Sequence, residues 1–187
     1  MNAGSAPTLN QPRMLVWGYL LSYILLIFIL VPYTLELWVF AEKHAPCDLD
    51  LLLAATGVGF FLMGAIWFLK GGWPSPFRYC LMLLIIFSGY GIAFLTLTRH
   101  PIERVHLFEY SALSFLACRA IATTSVRGLK TYSVSLGVVM LAGTLEEIYQ
   151  GFYPNRCRDI RDVLLSGLAG ALAIAIIALL QVFSPRK

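Results

Sequence analysis

Six long, largely apolar stretches constrain this chain more than any other feature, the fourth being the least apolar because it carries His106, Glu109 and Arg119. They run over about Met14–Val31, Leu51–Leu69, Tyr79–Thr98, Glu103–Ser125, Thr131–Gln150 and Asp159–Phe183. A helix of roughly 20 apolar residues crosses the ~30 Å hydrocarbon core of a bilayer. Inside lipid, only helices and closed barrels satisfy their own backbone polar groups. Barrel strands alternate apolar and polar residues, and these stretches do not. The expected fold is therefore all-α: a polytopic transmembrane helix bundle of about six spans with short loops. Composition agrees, since 59% of the 187 residues are hydrophobic and 13% charged, against roughly 45–50% and about 25% in soluble domains. No soluble domain large enough to carry function alone is left over.

Residues 1–187 read as a single membrane domain: a polar tail over 1–13, spans one to three over 14–98, and the last three over 102–183. The first run exceeds the core of a signal peptide and lacks a small-residue cleavage site, so it is read as a retained span. Pro32 is expected to end it. A mixed loop then follows, in which Tyr33, Leu35, Leu37, Trp38 and Phe40 suggest an interfacial aromatic anchor. The Gly- and Pro-dense segment Lys70–Arg78 is expected to turn tightly between spans two and three.

With six spans, the two termini and loops two and four share one side. That side carries eight lysines and arginines, counting Arg119, against six on the other. The imbalance places both termini in the cytoplasm, the chain being a multi-pass protein of the inner or cytoplasmic membrane. All ten acids fall on the opposite side, from Glu36 to Asp162. One span more or fewer would scatter them, so their segregation supports the count. The net charge of +4 is a topology signal rather than a nucleic-acid footprint. Of four cysteines, Cys80 and Cys118 fall in spans as small hydrophobes. Cys47 and Cys157 fall in loops, where a disulfide between them requires an oxidising compartment. No cysteine spacing suggests zinc.

The chemistry concentrates in two segments. In Glu103–Tyr110 (ERVHLFEY), residues three and four apart share a helix face, placing Glu103, His106 and Tyr110 in one row with Glu109 beside His106. In Glu146–Arg156 (EEIYQGFYPNR), Glu146 and Glu147 sit four and three residues before Gln150. Gly151 and Pro154 suit the helix end, and Arg156 sits in the turn, able to fork onto a carboxylate or phosphate. Ionisable residues within membrane spans are costly and are functional candidates by default. The candidate polar cluster is His106, Glu109, Glu146, Glu147, Gln150, Arg156 and Asp162. Each has a plainer structural reading. Asp159 and Asp162 serve as N-cap and first-turn acid of the last helix. Arg158 and Arg161 contact solvent or lipid headgroups. His106 with Glu109 forms an interhelical polar pair. His100, in a turn, is exposed and idle. Ser166, Gly167, Gly170 and Ala171 form a small-residue surface for helix packing. A metal on His106, Glu109 and Glu147 is conceivable, but a single Glu-x-x-His (Glu103, His106) falls short of the paired set of a di-iron bundle, so no metal and no cofactor is expected.

These segments, with Asp159–Gly170 (DIRDVLLSGLAG), resemble the VanZ-like family of bacterial integral membrane proteins. His106, Glu147, Gln150, Pro154, Arg156, Asp162 and Gly170 match its pattern position by position, over about Ile102–Gly170. Ser166 stands where the family usually has Asn. The family is named for a protein giving low-level resistance to teicoplanin, a glycopeptide that binds cell-wall precursors. The resemblance implies a polar outer-face site that binds or modifies a cell-envelope ligand. The partners implied are membrane lipids, a lipid-linked envelope precursor or glycopeptide, or other membrane subunits. Binding would use Arg156 for an anion and Glu147 and Gln150 for hydroxyl or amide groups. Catalysis would use His106 as general base, held by Glu109, with Glu147 as acid or second base, though no nucleophile stands beside His106. A structural or accessory subunit of a larger complex is the third reading. Transport is the weakest, since the chain lacks inverted repeats and a midplane charge.

Overall fold

The computed structural model describes residues 13–71, 75–98, 100, 102–153 and 158–182. These form an all-helical bundle with no strand among them. In chain order the helices are α1 (Arg13–Leu30), α2 (Thr34–His44), α3 (Leu49–Lys70), α4 (Pro76–Ile92), α5 (Glu103–Ala122), α6 (Leu129–Gln150) and α7 (Ile160–Val182). At ~1.5 Å per residue, every one except α2 approaches or exceeds the span of a hydrocarbon core, with α4 helped by its extension. Four segments are also apolar enough to cross: Arg13–His44, Leu49–Lys70, Pro76–Leu97 and Ile160–Gln181. The remaining two, α5 and α6, have the length but carry the polar cluster.

The expected loop after the first span is instead helix, a correction with a local cause. Pro32 sits inside a single 3-10 turn, Val31–Tyr33, early enough that its missing N–H costs little. The Thr34 hydroxyl then donates to Leu30 O at 2.8 Å, and α2 resumes the helix for eleven residues. Tyr33, Leu35, Leu37 and Phe40 lie on it or at its start and are exposed. Elsewhere the ends follow their signals. Asp48 caps α3, its carboxylate accepting from the N–H groups of Asp50 (2.8 Å) and Leu51 (3.2 Å). Pro76 opens α4. A π-helical turn, Ala93–Leu97, continues α4 beyond Ile92. Gly128, at φ 63°, turns the chain into α6 in a region that disfavours other residues.

Neighbouring ends show how the helices alternate. Trp17 near the start of α1 donates to Thr123 Oγ1 at 3.2 Å, just past α5. Tyr132, near the start of α6, donates to Gln181 Oε1 at 2.9 Å, near the end of α7. At the other end of the bundle the starts of α5 and α7 meet the end of α6. There Arg104 of α5 also forms an ion pair with Asp50 of α3.

The main core lies between α1, α5, α6 and α7, around Leu20, Ile27, Leu107, Tyr110, Leu113, Val139, Leu165 and Ala169. A smaller one joins α3 and α4 to the far end of α7 through Phe68, Tyr79, Leu83 and Leu179. Lipid supplies no hydrophobic force between helices, so close approach and interhelical hydrogen bonds carry the association. Both centre on α7. Tyr90 donates to Ala169 O (3.1 Å) and Ser114 to Gly170 O (3.2 Å). A Cβ on Gly170 would stand 2.8 Å from Val139 Cγ1 and 2.9 Å from Ser114 Oγ. The small-residue surface is thus packed, with Ser166 and Gly170 buried and Ala171 exposed at its edge. Cys118 is buried, Cys80 half-buried and Cys47 exposed, all as free thiols; Cys157 lies outside the described residues.

Candidate functional site

The cluster forms where α5 begins and α6 ends. α5 starts with Glu103 in its first turn and has Arg119 in its last, each at the end where its charge favours the helix dipole. α6 does the reverse. It ends in Glu146 and Glu147, with no basic residue in its last turn, where the dipole disfavours carboxylates. The compensation comes from other helices. Glu147 Oε2 accepts the backbone N–H of Asp159, 3.0 Å away, at the entrance to α7. It therefore sits at the positive end of a second helix.

Glu146 points the other way, into the bundle. Its Oε2 accepts from the Tyr110 hydroxyl, and its Oε1 accepts from Gln150 Nε2 at 2.9 Å. Tyr110 is fully buried, and Glu146, Glu147 and Gln150 are each about 5–6% exposed. His106 and Glu109, three apart on α5, bring Nδ1 and Oε2 to 3.3 Å. The distance is that of an ion pair, but the angle is not that of a hydrogen bond, and the buried His106 Nδ1 has no hydrogen-bond partner. The His106 and Tyr110 rings lie 5.8 Å apart. Behind them Tyr23 of α1 donates to Glu109 O at 3.2 Å.

Of the expected site residues, the structure joins His106, Glu109 and Glu146 through donor atoms within 4.8 Å of one another, with Gln150 bonded to Glu146. Glu147 stands beside them with its carboxylate turned to α7. Asp162, in the first turn of α7, is within electrostatic reach of His106. Arg156 and Pro154 lie outside the described residues. The expected pairing of Gln150 with both acids resolves in favour of Glu146. The plainer readings hold at several positions. Asp159 caps α7, its Oδ1 accepting from Arg161 N at 2.9 Å. Arg158 is exposed, its guanidinium 5.7 Å from the Phe152 ring centroid. Arg161 departs from its plainer reading of a solvent or headgroup contact and donates to Leu97 O at 3.2 Å, on the π-helical turn. His100 is exposed. Tyr110 is the participant that the list of candidates omits. Its place in the row with His106 was visible, but not that its hydroxyl meets an acid from another helix.

An open cavity of 480 Å³ lies between the end of α2 and the start of α3, lined by Trp38, Glu42, Cys47 and Asp48 among others. None of the cluster residues lines it.

No protein-family model, no curated protein and no solved structure matches this chain.

Proposed function

We propose that this is a VanZ-like membrane protein whose polar end face binds or modifies a cell-envelope ligand. The supporting observation is spatial. His106, Glu147, Gln150, Asp162 and Gly170, which carry the resemblance, lie on three helices, α5, α6 and α7. These three pack into one core with the polar side chains gathered at one end. The ligand fitting that reading is a lipid-linked envelope precursor or a lipid-anchored glycopeptide, with Arg156 taking its anionic group. The proposed setting is the cytoplasmic membrane, with both termini inside and the cluster at the outer face, following the lysine and arginine bias.

The test is teicoplanin susceptibility of a sensitive Gram-positive host expressing wild type, His106→Ala or Glu147→Gln at matched membrane levels. Glu147→Gln keeps an amide oxygen for the Asp159 N–H, so the fold survives while the acid is lost. Wild-type resistance that both variants lose supports the reading. Resistance partly kept by Glu147→Gln favours binding over acid–base chemistry. A correctly inserted wild type that changes nothing removes the antibiotic reading and moves the accessory-subunit reading to first place.

A second reading, an accessory subunit, draws on α3. This helix packs mainly on α4, and among its residues Phe68 alone is buried. Its broad apolar face suits another membrane subunit as well as lipid. Stable co-purification of further subunits with the full chain would favour it.

A further inference from the structure

We propose that His106, Glu109 and Glu146 form a binding site for a divalent transition-metal cation of the zinc class, set between α5 and α6 at the polar end of the bundle. Their donor atoms all lie within 4.8 Å of one another. Ligand atoms at about 2.0–2.2 Å from a tetrahedral metal stand roughly 3.4 Å apart, so the set needs only side-chain rotation to close on an ion. One pair is already there, with His106 Nδ1 and Glu109 Oε2 at 3.3 Å. That separation, without hydrogen-bond alignment, is the one two ligands of a single metal adopt. Nδ1 is cut off from solvent and has no other partner.

Charge points the same way. Two carboxylates from neighbouring helices approach at the end of the bundle, and among the described residues no lysine or arginine forms an ion pair with either. Carboxylates this close and poorly solvated are stabilised by a proton, a paired cation or a metal. A neutral imidazole and two carboxylates around a divalent ion leave no net charge in the site. One nitrogen and two oxygens suit zinc and its first-row neighbours better than calcium or magnesium.

The surroundings supply the outer hydrogen bonds such sites use to aim their ligands. Tyr110 and Gln150 each bond one oxygen of Glu146, and each oxygen keeps a further lone pair for the metal. Spacing along the chain gives His106 and Glu109 but hides the third ligand, because Glu146 comes from a different helix.

The proposal stands apart from the envelope-ligand reading, and its test needs no envelope ligand. The full chain, purified in detergent on a histidine-free tag and stripped by chelator, is titrated with Zn²⁺ alone and with Co²⁺ alone. Metal content and the visible Co²⁺ spectrum are read. Wild type should bind stoichiometrically. His106→Ala and the more exposed variant Glu109→Gln should lose that binding at unchanged helicity. Tyr110→Phe should weaken it by about 10- to 100-fold. The other two histidines, His44 and His100, are exposed, and His44→Ala and His100→Ala should bind as wild type. A helical wild type that takes up neither ion overturns the proposal. So does undiminished binding by either His106→Ala or Glu109→Gln. Metal binding without teicoplanin resistance would sink the antibiotic reading alone.

Discussion

Replacing Gly170 with Ala tests whether contact at α7 holds the bundle together. The added Cβ would lie 2.8 Å from Val139 Cγ1 and 2.9 Å from Ser114 Oγ, about 0.7 Å inside the best carbon–carbon separation. Neither neighbour yields easily. Val139 is β-branched and fully buried, and Ser114 is fully buried and bonded to Gly170 O at 3.2 Å. α7 must therefore shift, stretching that bond and the Tyr90 bond to Ala169 O. Overpacking of this size costs about 1–3 kcal/mol, offset by up to about 1 kcal/mol of helix propensity gained over glycine. With the full offset the net is about 0–2 kcal/mol, which lowers the melting temperature by up to roughly 8 °C for a chain of this size. Gly57 on α3 and Gly137 on α6 are the controls, since a Cβ at either meets nothing within 4 Å. Gly57→Ala and Gly137→Ala should stabilise by about 0.4–1 kcal/mol. Circular-dichroism melts in one detergent compare all three. A Gly170→Ala melt that moves up with the controls would refute the argument that close approach of α7 organises the bundle.

Tyr110→Phe keeps the buried ring but takes a hydrogen bond from the Glu146 carboxylate, and should cost the metal-free protein about 1–3 kcal/mol in the same melt. Combining it with Glu146→Gln should cost less than the two changes added, since both act on one contact; strict additivity would show that the contact does not form. In intact cells, single-cysteine variants should separate by exposure and side. Cys47 should react with a membrane-impermeant maleimide on the outer surface, while Cys80 and Cys118 stay protected. Labelling of Cys47 only after lysis would reverse the proposed orientation.

The long helices are legible because length and apolar continuity are one-dimensional properties. Each of the six predicted stretches lies within a few residues of one helix, counting the π-helical extension of α4, and α2 alone has no counterpart. Thr34–His44 was misread as loop because proline is a strong break signal in the middle of a helix, and the signal does not say whether the chain resumes two residues later. In the site, the i, i+4 link from Gln150 to Glu146 and the i, i+3 approach of His106 and Glu109 follow from helical spacing. The partners of Glu146 and Glu147 across helices do not. Nothing along the chain says that Tyr110 of α5 rather than a residue of α6 completes Glu146, or that Glu147 is answered by an N–H of Asp159. Those assignments depend on how far α5, α6 and α7 rotate and slide against each other.

That dependence links the packing to the cluster. Gly170 lets α7 approach α5 and α6 near mid-span, and Gly143 of α6 does the same one turn closer to the cluster, where a Cβ would meet Ser166 Cβ at 3.1 Å. Ser166 in turn bonds back to Asp162 O at 2.8 Å, on the first turn of α7. From there the chain reaches Asp159, whose N–H answers Glu147. Moving α7 outward by part of an ångström would therefore loosen the contact that offsets a carboxylate at the unfavourable end of α6. Small residues along α6 and α7 and the acid Glu147 at the bundle's end are two parts of one arrangement, because Glu147 tolerates burial only while the entrance of α7 is held against it.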